Sequence, residues 1–306
     1  MKVLIGVDGS AGGFTAVRLA GQLLSPDADQ VALYYTPPDM RLRGDSDPGP
    51  QMIERAQQAL SNAVFEEALG YLPTGLSENA RTIVGTRNPR QGIPAAAQEW
   101  QADMIAMGAR GSGPIQKLLL GSVVDAVVHA STIPVLVARP TAGLADDRPI
   151  SVMLAWDGSP GSRQAAQLLG KFTWQPGAVG RVVTVVESLL VAEVPEWLEL
   201  RARSADSEAM AQAWIQEHEA EKQLKEAELA ELCGTLPPPF RSYKPLVAEG
   251  HAAEQILKAV TAEKIDLVVL GAHGSGAIER LLIGSTSDKV LTQAPCSVLL
   301  VRGRRA

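Results

Sequence analysis

The chain is short of cysteine, of positive charge and of long apolar runs, and each shortage closes off a class of protein. Its 306 residues include two cysteines, Cys233 and Cys296, far apart and in no CxxC or Cys/His pattern. A disulfide framework and a zinc module are both excluded as readings, and a reducing compartment is the natural one. Lys plus Arg is 28 against 34 for Asp plus Glu, a net charge of −6. No basic excess is present to drive broad binding to nucleic acid or to an anionic membrane surface. The longest stretch free of Asp, Glu, Lys and Arg lies between Asp125 and Arg139 and contains Pro134, too short and too broken to span a bilayer. The opening MKVLIGVDGS has its apolar run cut by Asp8, too early for a signal-peptide core. A cytoplasmic protein without nucleic-acid or membrane partners is expected. Hydrophobic residues make up 46% and charged residues 20%, an ordinary globular mixture long enough for about two domains.

A repeat dominates the sequence. VLIGVDGS at 3–10 returns as VMLAWDGSP at 152–160, and the segment 103–139 returns at 266–302 without a gap, identical at 16 of 37 positions. One domain is therefore used twice, as 1–140 and 150–306, with a Pro/Gly/Asp-rich linker at 141–149. Within each copy, short apolar runs alternate with helical patterns. Strands are predicted at 2–7, 30–35, 81–85, 104–108 and 134–138, then near 150–156, 181–186, 243–248, 266–271 and 297–301. Helices are predicted at 11–24, 51–70, 91–101 and 121–130. Met104–Ile105–Ala106–Met107 and Leu267–Val268–Val269–Leu270 are apolar at every position, as strands covered on both faces are. The fold class is α/β: two doubly wound domains, each a parallel sheet with helices on both faces. The second copy is longer, and the extra length reads as an acidic helix near 195–232, with Glu221 and Lys225 at the favourable i,i+4 spacing. It is either a partner-binding lid or a longer second helix with a solvated face.

Both copies carry G-x2-G-x9-G-S: Gly108, Gly111, Gly121 and Ser122, then Gly271, Gly274, Gly284 and Ser285. Gly108 and Gly271 follow an all-apolar strand, where a missing Cβ lets backbone come close to a ligand. Gly121 and Gly284 open a helix, and exposed N–H groups with the helix dipole make a phosphate site there. Asp8-Gly9-Ser10 and Asp157-Gly158-Ser159 end the first strand of each copy. In a doubly wound sheet the ligand crevice lies at the carboxyl ends of the strands flanking the switch point. If the first and fourth strands are those neighbours, both motifs converge there, the Asp meeting a ribose hydroxyl or a divalent cation. The plainer reading is that βα turns favour glycine regardless. The glycines, however, persist while neighbours such as Arg110/His273 and Pro114/Ala277 have drifted, which favours nucleotide binding.

At these residues the sequence resembles the universal stress protein family in its tandem form. VDGS, GARGSG…GS with its second copy GAHGSG…GS, and the flanks DMIAMGARG, DLVVLGAHG, IPVLVAR and CSVLLVR carry the likeness over essentially the whole chain. The resemblance implies five-stranded parallel sheets ordered 3-2-1-4-5 and ATP, with Mg, held without a Walker lysine. It places phosphate and ribose on Gly108, Gly111, Gly121 and Ser122 and on Gly271, Gly274, Gly284 and Ser285, beside Asp8 and Asp157, which are also the possible Mg ligands. Two departures stand out. The family's Ser or Thr after the Gly-Ser is Ser287 in the second copy but Val124 in the first. The aliphatic residue that meets adenine at the end of the second strand is replaced by Thr36 and by Glu187.

Arg110 and His273 either cover phosphates or face water, and Lys117 and Arg280 read as solvated turn charges. His129, His218 and His251 have no partner at metal spacing, and both thiols read as buried. No GxSxG, HExxH or Walker A pattern occurs. The expected function is an ATP-binding stress-response regulator signalling through conformation or partners. The alternatives are a slow ATPase or autokinase at the same site, and a scaffold with decayed sites. The apolar last strands, Val135-Leu136-Val137 and Val298-Leu299-Leu300-Val301, are expected to cover each other in an intramolecular pseudo-dimer, with further self-association open.

Overall fold

A computed structural model describes residues 1–40, 49–111, 120–145, 148–186, 220, 222–273 and 283–302. The strands of the first half are β1 (Lys2–Gly6), β2 (Gln30–Tyr35), β3 (Arg81–Val84), β4 (Met104–Gly108) and β5 (Val135–Ala138). Those of the second are β6 (Ser151–Ala155), β7 (Val179–Val186), β8 (Leu246–Glu249), β9 (Leu267–Gly271) and β10 (Ser297–Val301). They form one sheet in the order β3-β2-β1-β4-β5-β10-β9-β6-β7-β8. Each half is thus a five-stranded parallel sheet in the order 3-2-1-4-5, the second half running outward from the centre in reverse. The β1–β4 neighbour relation, with Val3 opposite Met104 and Gly6 opposite Met107, is the switch point in the first half. β6–β9 is its counterpart.

The two halves meet at the only antiparallel pair among the described strands. Val137 lies opposite Val298, Leu136 opposite Leu299 and Val135 opposite Leu300. Both strands are apolar and buried throughout, so joining them removes two exposed hydrophobic edges at once. Each sheet face carries its own core. Helices Ala11–Leu23, Pro50–Leu69 and Pro160–Leu169 bury Phe14, Val64 and Leu168 on one face. Helices Pro89–Glu99, Ser122–Ala130, Ala252–Ala262 and Ser285–Gln293 bury Ile93, Val127, Ile256 and Val290 on the other. Leu4 and Leu136, in the middle of this sandwich, are fully buried, and truncating either to alanine would cost about 2–5 kcal/mol.

The linker is more ordered than its composition suggests. It contains a short helix, Ala142–Ala145, docked on Asp266, whose carboxylate is buried. The Gly143 N–H donates to its Oδ1 (3.2 Å), the Ser151 N–H to its Oδ2 (2.9 Å), and Arg148 lies at 3.4 Å. A carboxylate that deep needs several donors. The linker's Gly143 N–H and Arg148 side chain supply them together with the Ser151 N–H at the start of β6. Most of the acidic helix predicted near 195–232 lies outside the described residues, Glu221 included. Residues 222–235 are helical and bury Leu229, and Lys225 pairs there with Glu228 at 2.9 Å. Among the described residues no helix is long and apolar enough to cross a membrane.

Candidate functional site

At the end of β1 the Asp-Gly-Ser turn is built by its own side chains. The Ser10 N–H and hydroxyl both donate to Asp8 Oδ1 (3.1 and 2.5 Å), and Ser10 Oγ accepts the Gly13 N–H (3.2 Å), capping helix Ala11–Leu23. Gly9 between them has φ +76°, a left-handed conformation that penalises any Cβ. The second copy repeats the design: Gly158 has φ +72°, the Ser159 N–H donates to Asp157 Oδ1 (3.0 Å), and Ser159 Oγ accepts the Ser162 N–H (3.2 Å). In the first copy the other carboxylate oxygen, Asp8 Oδ2, faces Gly111, where an added Cβ would lie 2.3 Å away. The two motifs predicted to converge do so.

Two of the glycines carry a packing duty that the sequence reading did not include. A Cβ on Gly108 would lie 2.3 Å from the Gly12 carbonyl carbon, and one on Gly271 would lie 2.7 Å from that of Gly161. Their missing side chains make room for the first turn of the helix after β1 or β6. Close helix–sheet packing by itself demands glycine there, and Gly108 also borders the cavity.

Gly121 is the opposite case. Its N–H donates to Ala109 (2.9 Å), its carbonyl accepts from Asp125 (2.9 Å), and it is the N-cap of helix Ser122–Ala130 with no side-chain cap. Its φ of −65° suits any residue, and a Cβ would find only ordinary contacts at 3.4 Å and beyond. Among the described residues nothing requires glycine at 121. What its bareness does is leave the uncapped amides of the first helical turn open to the crevice. Gly284 has the same frame, bonding Ala272 (2.8 Å) and Asp288 (2.9 Å) at the uncapped start of Ser285–Gln293, with Ser285 exposed. Gly274, Arg280 and Lys117 lie outside the described residues.

Ser287, at the position of the family's Ser or Thr, is assigned by the sequence to the nucleotide site, with its hydroxyl within reach of a phosphate oxygen. It is buried, and the hydroxyl donates instead to the Gly271 carbonyl at 2.8 Å. Its place one turn into the helix points it at the sheet, as at Val124, which is buried in the core. The Ser287/Val124 difference is therefore a difference in how the helix is pinned to the strand.

A cavity of about 300 Å³ opens at the carboxyl ends of β1, β2 and β4. Asp8, Thr36, Gly108, Gly111, Gly121, Ser122 and Val124, all singled out in the sequence, border it, and so does Arg110. Sequence reasoning missed Tyr34, Pro89, Ile93 and Met107, which form its apolar wall. A signal for Tyr34 was present in Gly85 and Gly92, where a Cβ would fall 2.0 and 2.1 Å from the phenolic oxygen. The pairing of Thr36 with Glu187 is also corrected. The Val7 N–H donates to the Tyr34 carbonyl and the Trp156 N–H to the Val183 carbonyl, so Thr36 corresponds to Val185. Glu187 itself lies outside the described residues. The register of the second strand is set by its pairing with the first strand, not by where its apolar run ends.

Chemically, the crevice joins an apolar wall to a helix N-terminus, with one carboxylate, Asp8, at its rim. Among the described residues no group of three His, Cys, Asp or Glu side chains could hold a metal, and His129 bonds its own helix at the Asp125 carbonyl (2.8 Å). Both cysteines are buried. Burial pushes the Cys233 thiol up and the Cys296 thiol up to about 12, so neither is a nucleophile near neutral pH.

Comparison with known proteins agrees with this architecture. The chain is 25% identical over 308 aligned residues to a universal stress protein of Mycolicibacterium smegmatis, covering 99% of this chain and 97% of that one. A universal stress protein of Mycobacterium tuberculosis is 29% identical over 255 residues, with 81% and 77% covered. The crystal structure of a universal stress protein from Archaeoglobus fulgidus superposes with a TM-score of 0.60 at 19% identity, covering 99% and 98%, and so shares the fold. The universal stress protein family model matches residues 1–139 and again 151–302, and the chain belongs to that family with both of its halves.

Proposed function

We propose that the crevice of the first half binds ATP and that the protein is a stress-response regulator whose conformation or partner binding depends on that nucleotide. The observation that carries this reading is the pairing, in one cavity of about 300 Å³, of an apolar wall with the uncapped N-terminus of helix Ser122–Ala130. A flat base suits the wall of Ile93 and Met107. A polyphosphate suits the amides at 122–124, where the helix dipole favours negative charge. Gly121 supports the same fit, since no contact among the described residues accounts for the bareness of its side of the cradle. Asp8 is the carboxylate within reach of the rim, and it would hold a Mg ion carried in with the phosphates or a ribose hydroxyl. The second half has the same N-terminal frame at Gly284 and Ser285, with Asp157 at the matching turn.

Extraction of nucleotide from the purified protein with identification by mass spectrometry, followed by calorimetric titration with Mg-ATP, tests this. Bound adenine nucleotide, or micromolar heats of binding that fall a hundredfold or more in Gly121→Asp, is the expected result. That loss corresponds to about 2.7 kcal/mol, the scale of setting a carboxylate against phosphate at a helix N-terminus. No extracted nucleotide and no heat from a folded protein would overturn it.

A further inference from the structure

The two halves differ where their first and fourth strands end. Met107, near the end of β4, borders the first cavity together with Gly6, the last residue of β1. A Cβ added to Gly6 would lie 3.5 Å from Met107 Cγ and 3.8 Å from its Cε. The sulfur joins those two carbons, so the thioether lies across the bare backbone of Gly6. In the second half Ala155 stands opposite Val183 as Gly6 stands opposite Tyr34, and the residue matching Met107 is Leu270. One half thus pairs a methyl with a branched hydrocarbon. The other omits the methyl and lays a flexible thioether in the space, a swap that conserves volume but adds a sulfur.

Met107 is also set apart from the neighbouring methionines. Met104 and Met153 are fully buried in the core, and Met52 stands 62% exposed on helix Pro50–Leu69. Met107 is 5% exposed and lies on a cavity of about 300 Å³, ample for a molecule little larger than water. No cysteine is among the described residues that border this cavity.

We propose that Met107 is a modification site, at which oxidation by a peroxide lowers nucleotide binding to the first half. This rests on the reading that the cavity takes a nucleotide. The sulfur lone pair attacks one peroxide oxygen, and the S–O bond forms as the O–O bond breaks. The proton on the transferred oxygen passes to the departing one, which leaves as water. Sulfur gives up two electrons in becoming a sulfoxide, and the peroxide takes them. The product sets a strongly polar oxygen on the wall that Ile93 and Met107 offer to a base, where covering it costs free energy. A bound base shields the sulfur, so nucleotide and oxidation oppose each other. Leu270 has no sulfur, and the second half is spared.

The test treats the full chain with hydrogen peroxide, with and without saturating Mg-ATP, and follows each methionine by peptide mass mapping. Protein oxidised without nucleotide is then titrated with Mg-ATP by calorimetry, and its fold is checked by circular dichroism. Met107 is expected to become sulfoxide more slowly than Met52 and faster than Met104. Mg-ATP should slow Met107 at least fivefold and leave Met52 unchanged. Affinity at one site should fall tenfold or more on oxidation. Met107→Leu, compared with its own untreated affinity, should change less than threefold. Met107 left unmodified once Met52 is fully converted would overturn the proposal. So would an equal loss of affinity in wild type and Met107→Leu, no loss in oxidised wild type, or unfolding of oxidised wild type. Each of these leaves the nucleotide reading standing. Untreated wild type that binds no ATP would overturn that reading and this proposal with it.

Discussion

Arg139, the residue that follows the last strand of the first half, donates from its guanidinium to the Leu291 carbonyl of the second half at 2.6 Å. The same side chain donates to the Cys296 carbonyl (3.3 Å), and its backbone exchanges bonds with Ser297 Oγ (3.0 and 3.2 Å). Its counterpart, Arg302, is also buried but has Nε and one Nη without a hydrogen-bond partner. Burial lowers the pKa of both guanidinium groups. One reason for the asymmetry is local: the Ser131 hydroxyl donates to the Ile133 carbonyl at 2.8 Å. That carbonyl corresponds to the one Arg139 uses at Cys296, and the residue matching Ser131 is Ala294, which has no hydroxyl. Arg139→Met is therefore expected to cost about 2–3 kcal/mol in urea denaturation, since buried carbonyls lose a charged donor. Arg302→Met is expected to be neutral or stabilising, because it removes a buried unpaired charge. Equal losses in the two variants would show that the bonds at 139 do not hold the junction.

The glycines at 108 and 121 should separate fold from ligand. Gly108→Ala drives a Cβ into the Gly12 backbone at 2.3 Å, and backbone cannot step aside as a flexible side chain can. A loss of about 2–3 kcal/mol in stability is expected. Gly121→Ala meets only ordinary contacts, so stability should stay within about 1 kcal/mol while ATP affinity falls. Thermal melts beside titrations of the two variants check this. A stable Gly108→Ala protein would contradict the packing assignment.

Ser287→Ala should act on stability rather than on binding. It leaves the Gly271 carbonyl without its 2.8 Å donor, at a cost of about 1–2 kcal/mol. ATP affinity of the folded variant should change less than threefold. A larger change in affinity would mean that the hydroxyl turns to the ligand after all.

The Cys296 thiol gives the protein an alkaline weakness. Burial raises its folded pKa to about 12 from an ordinary value of 9.0. Its contribution to stability is complete below pH 9 and is lost as pH rises toward 12, because only the unfolded thiol ionises in that window. The expected slope is about 1.4 kcal/mol per pH unit above 9. Urea denaturation at pH 8, 9 and 10 should show this slope in wild type and a shallower one in Cys296→Ala. Rapid alkylation of Cys296 in the native protein at pH 8 would contradict its burial.

Much of the fold was legible because the repeat and the all-apolar strands are local signals. β1, β4, β9 and β10 appear within a residue or two of their predicted positions. The Asp-Gly-Ser turn was legible too, since φ near +70° at Gly9 and Gly158 and capping by Ser10 and Ser159 depend only on neighbours in sequence. The site was less legible. Gly108 and Gly121 look alike in a motif, yet one is glycine for a helix 96 positions earlier (108 − 12) and the other for the crevice.

What the sequence determined by itself was the period of each element, the duplication and the convergence of two glycine-bearing turns, because each follows from the spacing of residue types along the chain. Only the tertiary structure decided that Val185 matches Thr36, that Ser287 faces the sheet, that the linker docks on Asp266 and that Tyr34 stands behind Thr36 at the crevice wall. Those facts depend on register between strands and on distances between segments far apart in the chain. Hydrophobic pattern specifies which face a residue takes, but the neighbour it meets there is set by how the whole sheet pairs.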